Sequence, residues 1–154
     1  MRALISIFIA SVALAAAGCG ATSSGLSDND RALIGSVEAS KQRLNTLSDR
    51  IDANELEDEA DLDAYLRDMR SAADEMDTLG GTLGRFTSLD DFRDELTDYA
   101  AQLGTTAGLA RQVASAVEEG DEKQVERAQT AYVKAATGLV TLQQAVAEAV
   151  REAE

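Results

Sequence analysis

The sequence contains no histidine, no proline and no tryptophan, and it has one cysteine among its 154 residues. Without histidine it cannot build a Ser-His-Asp triad, a histidine-ligated haem or a histidine–carboxylate di-iron site. A zinc site made of cysteine and histidine ligands is excluded as well. A glycine-rich phosphate-binding loop follows a strand, and no strand pattern occurs here. We therefore expect a protein that is not an enzyme and that holds neither a cofactor nor a metal ion.

Basic residues are also few, because 14 Lys and Arg stand against 28 Asp and Glu, for a formal net charge of -14. Binding to phosphate backbones requires a basic face, so a nucleic acid is not expected as a partner. The region between Asp49 and Asp98 holds 17 acidic residues and 5 arginines. One interpretation of this region is an acidic face that docks a basic partner or loosely binds cations. The other is a solvated surface that keeps the protein soluble and away from anionic lipid headgroups. We favour the solvated surface.

The amino terminus has the organisation of a secretory signal peptide. Arg2 precedes an uncharged run from Ala3 to Ala17, and small residues follow directly before Cys19. The run is short for a membrane span, which needs about 20 apolar residues. A basic start, a short apolar run and small residues at a junction predict export from the cytoplasm.

The segment Ala16-Ala17-Gly18-Cys19 resembles the lipobox of bacterial lipoproteins, with Ala16 where leucine is more usual. The resemblance covers only the first 19 residues, and the rest of the chain resembles no family. It implies cleavage between Gly18 and Cys19, a thioether-linked diacylglycerol on Cys19, and a further acyl chain, such as palmitate, on the new amino group. Two or three acyl chains anchor a protein stably, whereas one binds marginally. The alternative is an ordinary signal peptide with an incidental cysteine.

Apart from Leu26, the residues from Gly20 to Ser27 are small or polar, which is typical of a flexible tether that spans about 15 Å. The lipoprotein interpretation therefore places the folded part on the extracytoplasmic side, close to the membrane. Gly20 is not the aspartate that retains Gram-negative lipoproteins in the inner membrane. Both the plasma membrane and an outer membrane stay open as the location.

From Asp28 onward, apolar residues recur every three or four positions, and no stretch alternates as a strand would. Acidic and glycine-containing breaks divide this pattern into four segments. The predicted helices cover about residues 29–53, 58–83, 88–119 and 121–153. Helices joined by such short connections pack antiparallel to their neighbours in sequence. We therefore predict an all-α, up-down-up-down four-helix bundle with coiled-coil-like packing over residues 28–154, after a cleaved signal helix (1–18) and a lipidated tether (19–27).

An alternative architecture is a pair of extended helical hairpins that dimerise to complete the core. In either case the tyrosines and two methionines fall at core positions of the repeat. These residues are Tyr65, Tyr99, Tyr132, Met69 and Met76. Two methionines without any histidine are better explained as core residues than as copper or haem ligands.

Small uncharged residues are concentrated in the third and fourth predicted helices. The candidate patch consists of Gly104, Thr105, Gly108, Ala135 and Gly138. If the chain turns at Gly120-Asp121, Gly104 lies opposite Thr137 and Gly138, and we expect the two helices to approach closely there. The uncharged surface is wider than a core stripe requires. We favour tight packing of the two helices with ordinary polar surface around it. The alternatives are an interaction patch for a partner or for a second copy of the chain, and a groove for an apolar ligand.

These features predict a membrane-anchored extracytoplasmic lipoprotein that acts as a non-catalytic helical interaction module, with an envelope protein as its partner. One alternative is a carrier of an apolar ligand between its helices. That alternative predicts a cavity near Leu103, Ala110, Ala135 and Leu139. Another is a structural spacer or homo-oligomer of the envelope, whose mass depends on concentration.

Overall fold

The computed structural model describes residues 27–54, 57–87 and 92–152, with side chains as far as residue 145. Four α-helices account for nearly all of these residues. They are α1 (Asp28–Asp52), α2 (Glu59–Leu83), α3 (Arg93–Glu119) and α4 (Glu122–Glu152). The described residues contain no strand, and the all-α prediction is confirmed. The predicted signal peptide, Cys19 and the tether up to residue 26 lie outside the described residues.

Each helix packs closely against the next one along the chain, so that α2 contacts α1 and α3, and α3 contacts α2 and α4. Cross-helix contacts show that α1 and α2 run antiparallel, since Arg43 meets Glu75 whereas Arg50 meets Asp68. The connection through Gly120 likewise reverses the chain between α3 and α4. Within the described residues, no Cα atom of α1 comes within 8 Å of α4. The up-down-up-down bundle therefore has three tight seams and a wider one between its first and last helices.

The ends of α1, α2 and α4 follow from local hydrogen bonding. Ser27 accepts a hydrogen bond from the backbone N–H of Asp30, and Asp58 accepts one from that of Asp61. Such bonds satisfy N–H groups that have no partner within the first helical turn. The Asp30 carboxylate, which is fully buried, in turn accepts a hydrogen bond from the Thr87 backbone N–H at 3.1 Å. This bond joins the start of α1 to the end of α2.

The predicted turn between the last two helices is confirmed. Gly120 has a φ of 71°, a left-handed conformation that favours glycine after a helix. Asp121 then accepts hydrogen bonds from the backbone N–H groups of Lys123 and Gln124 and from the Gln124 side chain. By contrast, α3 begins at Arg93 after Phe92, which makes no side-chain capping bond. The predicted cap near Ser88 lies outside the described residues.

The core is the stripe that the helical repeat predicts. Tyr65, Tyr99, Tyr132, Met69 and Met76 are all buried. Among larger side chains, α2 and α3 both contribute alanines to the core: Ala72, Ala73, Ala107, Ala110 and Ala114 are buried. Small side chains on both sides let the two backbones come close. None of the helices within the described ranges combines the length and the apolarity needed to cross a bilayer.

Candidate functional site

The acidic side chains of α2 are used in part to hold the bundle together. Arg43 on α1 donates two hydrogen bonds, from Nε and Nη2, to the two carboxylate oxygens of Glu75, both at 2.8 Å. Paired bonds of this kind are stronger and more directional than single ones. The hydrogen bond from Arg43 lowers the pKa of Glu75, partial burial opposes this, and Ser40 adds to the lowering.

One heptad away, Arg50 donates to both carboxylate oxygens of Asp68, a residue that is only 5% exposed. Arg67 lies near the same carboxylate, with its Nε 3.6 Å from Oδ1. A buried carboxylate is costly unless it is paired, so Arg50 compensates a charge that the core would otherwise reject.

The seam between α2 and α3 is bridged in the same manner. Arg111 on α3 donates to Asp74 and to Asp77, each at 2.7 Å. Arg70 on α2 donates to Glu118 on α3. These acidic residues therefore form ion pairs across the seams of the bundle, and several of them stay largely exposed.

Sequence reasoning missed these pairs, although a signal was present. Arg43 and Arg50 are seven residues apart on α1, and Asp68 and Glu75 are seven apart on α2. Opposite charges that repeat with the heptad on facing helices are typical of positions that flank a coiled-coil core.

The expectation that Gly104 packs against Thr137 and Gly138 is wrong. Gly104 is exposed, and a Cβ atom built there, or at Gly108, would meet no atom within 4 Å. The close approach between α3 and α4 occurs instead where a Cβ on Gly138 would lie 3.1 Å from the amide nitrogen of Gln102. The rotation of α3 about its axis turns Gln102 towards α4 and turns Gly104 away from it.

The structure thus separates the predicted patch into two parts. Ala135 and Gly138 belong to the α3–α4 seam, where the Gln102 side chain donates a hydrogen bond to the Ala135 carbonyl oxygen at 2.9 Å. Gly104 and Thr105 are exposed on α3 and Gly108 is half-buried there, which leaves a small-residue surface on that helix.

Buried hydroxyl groups are found on two core tyrosines. Within the described residues, the hydroxyls of Tyr65 and Tyr99 have no hydrogen-bond partner, and burial raises the pKa of both groups well above the ordinary value. Burial raises the pKa of Tyr132 as well, and the nearby charge of Asp52 adds to the effect. All three phenols therefore stay protonated near neutral pH, where they cannot act as bases.

A groove of about 760 Å³ lies between the second half of α3 and the first half of α4, beside the Gly120 turn. Its walls combine small residues with long polar ones. They are Arg111, Gln112, Ser115, Ala116, Glu119, Asp121, Lys123, Gln124, Arg127, Ala128 and Ala131. The four residues expected around an apolar cavity are elsewhere: Leu103, Ala110, Ala135 and Leu139 are buried in the core and do not line this groove.

The described residues contain no cluster of three or more acidic or cysteine side chains that could hold a metal ion. Comparisons with protein families, with curated proteins and with solved structures gave no match to this chain.

Proposed function

We propose that the protein is a lipoprotein of the bacterial cell envelope whose helical bundle binds a partner protein and catalyses no reaction. The observation that carries this proposal is the start of α1 at Asp28, with Ser27 as its cap. Only residues 20–27 then separate the folded bundle from Cys19, where the resemblance to the lipobox places the lipid. A tether of this length spans about 15 Å, so the bundle is held close to the membrane.

The short segment between Cys19 and α1 implies an orientation of the bundle relative to the membrane. The end that contains Ser27 and Thr87 faces the lipid, and the end that contains the Gly120 turn faces away from it. Because α1 has 25 residues, the two ends are about 37 Å apart. The groove beside the Gly120 turn is then presented to other proteins of the envelope rather than to the lipid.

The chemistry of the described side chains supports a binding role. The arginines and acids of the seams are engaged in ion pairs, Asp58 and Asp121 cap helices, and the core tyrosines stay protonated. Among the described residues, the surfaces that we propose for contact with a partner are the groove and the exposed small residues of α3 at Gly104 and Thr105.

Metabolic labelling with an alkyne-bearing palmitate tests the anchor in cells that produce the full chain. We expect label on the wild type and on a Ser24→Ala control, and none on Cys19→Ala. We also expect the first two proteins, after cleavage, to stay with washed membranes. Label on Cys19→Ala would overturn the proposal.

Crosslinking tests the binding role. A photo-crosslinking residue placed at Thr105, or at Gln112 in the groove, is expected to give one defined product with another envelope protein. The same residue at Thr46 on the exposed side of α1 serves as the control. Products of twice the chain mass alone would favour the homo-oligomeric spacer instead.

A further inference from the structure

The buried face of α1 is more polar than that of α3. Three of the seven buried residues of α1 are polar, namely Asp30, Ser40 and Ser48. By contrast, α3 buries nine residues, and eight of them are apolar or aromatic. Burial of apolar side chains is the main contribution to helix packing, and a buried polar group adds much less. The attachment of α1 to the bundle therefore depends more on specific polar contacts than the attachment of α3 does.

These polar contacts join α1 to α2 at successive positions along the helix. Near its start, Asp30 accepts a hydrogen bond from the Thr87 backbone N–H just after α2. Further along, Arg43 and then Arg50 pair with acidic residues of α2. Within the described ranges, no Cα atom of α1 comes within 8 Å of α3 or α4. The close packing of α1 is therefore with α2, so that one seam determines whether α1 stays in the bundle.

A pull from the membrane would act on this seam from one end. The tether enters α1 at Ser27, whereas α1 joins α2 at the opposite end, after Ala53. Tension on the tether therefore loads the contacts one after another, first at Asp30, then at Arg43 and last at Arg50. Contacts that are loaded in turn separate at a lower force than contacts that share the load, because each one bears the whole load by itself.

The other three helices keep their own contacts if α1 leaves. Within the described residues, α2 packs closely on α3, and α3 packs closely on α4. Arg111 bridges Asp74 and Asp77 across the first of these seams. Gln102 donates to the Ala135 carbonyl oxygen across the second. None of these contacts involves α1, so its departure leaves both seams intact.

We propose that α1 is a releasable part of the membrane tether, which peels from α2 under tension while α2, α3 and α4 stay packed. The proposal rests on the anchor at Cys19 proposed above and adds a conformational change to it. With α1 docked, the tether spans about 15 Å. A released α1 of 25 residues adds about 37 Å as a helix, so the three remaining helices can follow a bound partner about 50 Å from the membrane. Without tension, α1 is kept docked by its buried apolar residues, which are Leu33, Val37, Leu44 and Ile51.

Optical tweezers test this proposal on the full chain in a non-ionic detergent. Cys19→Ser removes the native thiol, and Ser24→Cys and Gln112→Cys provide two thiols for DNA handles. Ser24 lies in the proposed tether, and Gln112 is exposed on α3. We expect a first event at low force that reverses on relaxation, followed by unfolding of the remaining helices at higher force. The first event should release between about 37 Å, if α1 stays helical, and about 90 Å, if α1 is fully extended.

The variants assign the first event to the seam between α1 and α2. We expect Arg43→Gln with Arg50→Gln to speed the first event at constant force by about tenfold or more. Arg111→Gln is the matched control, because Arg111 bridges α2 and α3, and it should change the first event less than about twofold while speeding the second. Moving the first handle from Ser24 to the exposed Asp49, near the other end of α1, should abolish the first event, because tension then bypasses α1.

Three outcomes would overturn the proposal. They are a single event in which all helices unfold together, a first event that persists with the handle at Asp49, and equal effects of Arg111→Gln and the double variant. Circular dichroism checks that each variant is folded. The Asp49 handle keeps the test decisive if the double variant is not folded, because it leaves both arginines of α1 in place. None of these measurements depends on acylation of Cys19, so a failure here is distinguishable from a failure of the proposed anchor.

Discussion

Arg50 of α1 donates two hydrogen bonds to the buried carboxylate of Asp68 on α2. The negative charge of Asp68 is thus paired with an arginine at the surface of the bundle. Half of the Arg50 side chain is exposed, and water and salt screen the pair accordingly. Its contribution is the compensation of Asp68 rather than a large net attraction.

We expect Arg50→Gln to lower the thermal denaturation midpoint, because Asp68 is then left buried with only the more distant Arg67 beside it. Arg67→Gln is the matched control and should lower the midpoint less. Adding Asp68→Asn to Arg50→Gln should recover part of the loss, since the uncompensated charge is removed. Equal effects of the two arginine substitutions would contradict this assignment.

Two glycines on neighbouring helices should respond to substitution in opposite directions. Gly104→Ala meets open space on exposed helix, and we expect it to raise the free energy of unfolding by about 0.5–1 kcal/mol through helix propensity. Gly80→Val should lower it by about 1–3 kcal/mol, because its Cβ would lie 3.3 Å from the Ala100 carbonyl oxygen. Urea denaturation of the two variants checks both signs. A loss of stability in Gly104→Ala would instead indicate that Gly104 packs closely against α4, contrary to the structure.

The contrast between Gly104 and the core tyrosines shows what a single sequence can predict about this fold. The spacing of apolar residues defines the centre of each buried stripe, which is why Tyr65, Tyr99 and Tyr132 were predicted correctly. It does not define which flank of a helix faces which neighbour. One residue changes the direction of a side chain by about 100°, which is enough to move Gly104 from the α4 seam to solvent.

The groove between α3 and α4 could not be predicted from the sequence, for a related reason. Its floor and edges come from α3 and α4 together, and Ser115 and Ala131 become neighbours only once the rotation of both helices is fixed. Predicting the ion pairs between α1 and α2 would also have required the heptad positions of the two helices to be compared with each other.

The pH dependence of stability should contain two opposite contributions. Hydrogen bonds from Arg43 lower the pKa of Glu75 in the folded protein. The resulting stability is present above the ordinary pKa of 4.5 and is lost as the pH falls below it. Burial, followed by the charge of Asp49, raises the pKa of Asp52, which gives stability present at low pH and lost as the pH rises above the ordinary value of 3.8.

We therefore expect Glu75→Gln to be less stable than the wild type at neutral pH and Asp52→Asn to be more stable. Both differences should shrink towards about pH 3, where the carboxyl groups become neutral. Urea denaturation across this range measures both variants against the wild type. An Asp52→Asn variant that is less stable at neutral pH would show that the Asp52 charge is favourable in the folded protein.

The wider seam between α1 and α4 should be visible in backbone dynamics. The helices α2 and α3 each pack closely against two neighbours, whereas α1 and α4 each pack closely against one. Amides with fewer packed neighbours open at lower free energy, so hydrogen–deuterium exchange should be slower in the middle of α2 and α3 than in α1. Arg43→Gln combined with Arg50→Gln should speed exchange in α1 more than in α3, because both arginines hold α1 to α2. Exchange that is slowest in α1 would mean that the seam with α4 is closed in solution. It would also mean that the helix nearest the proposed tether is the most firmly held part of the bundle.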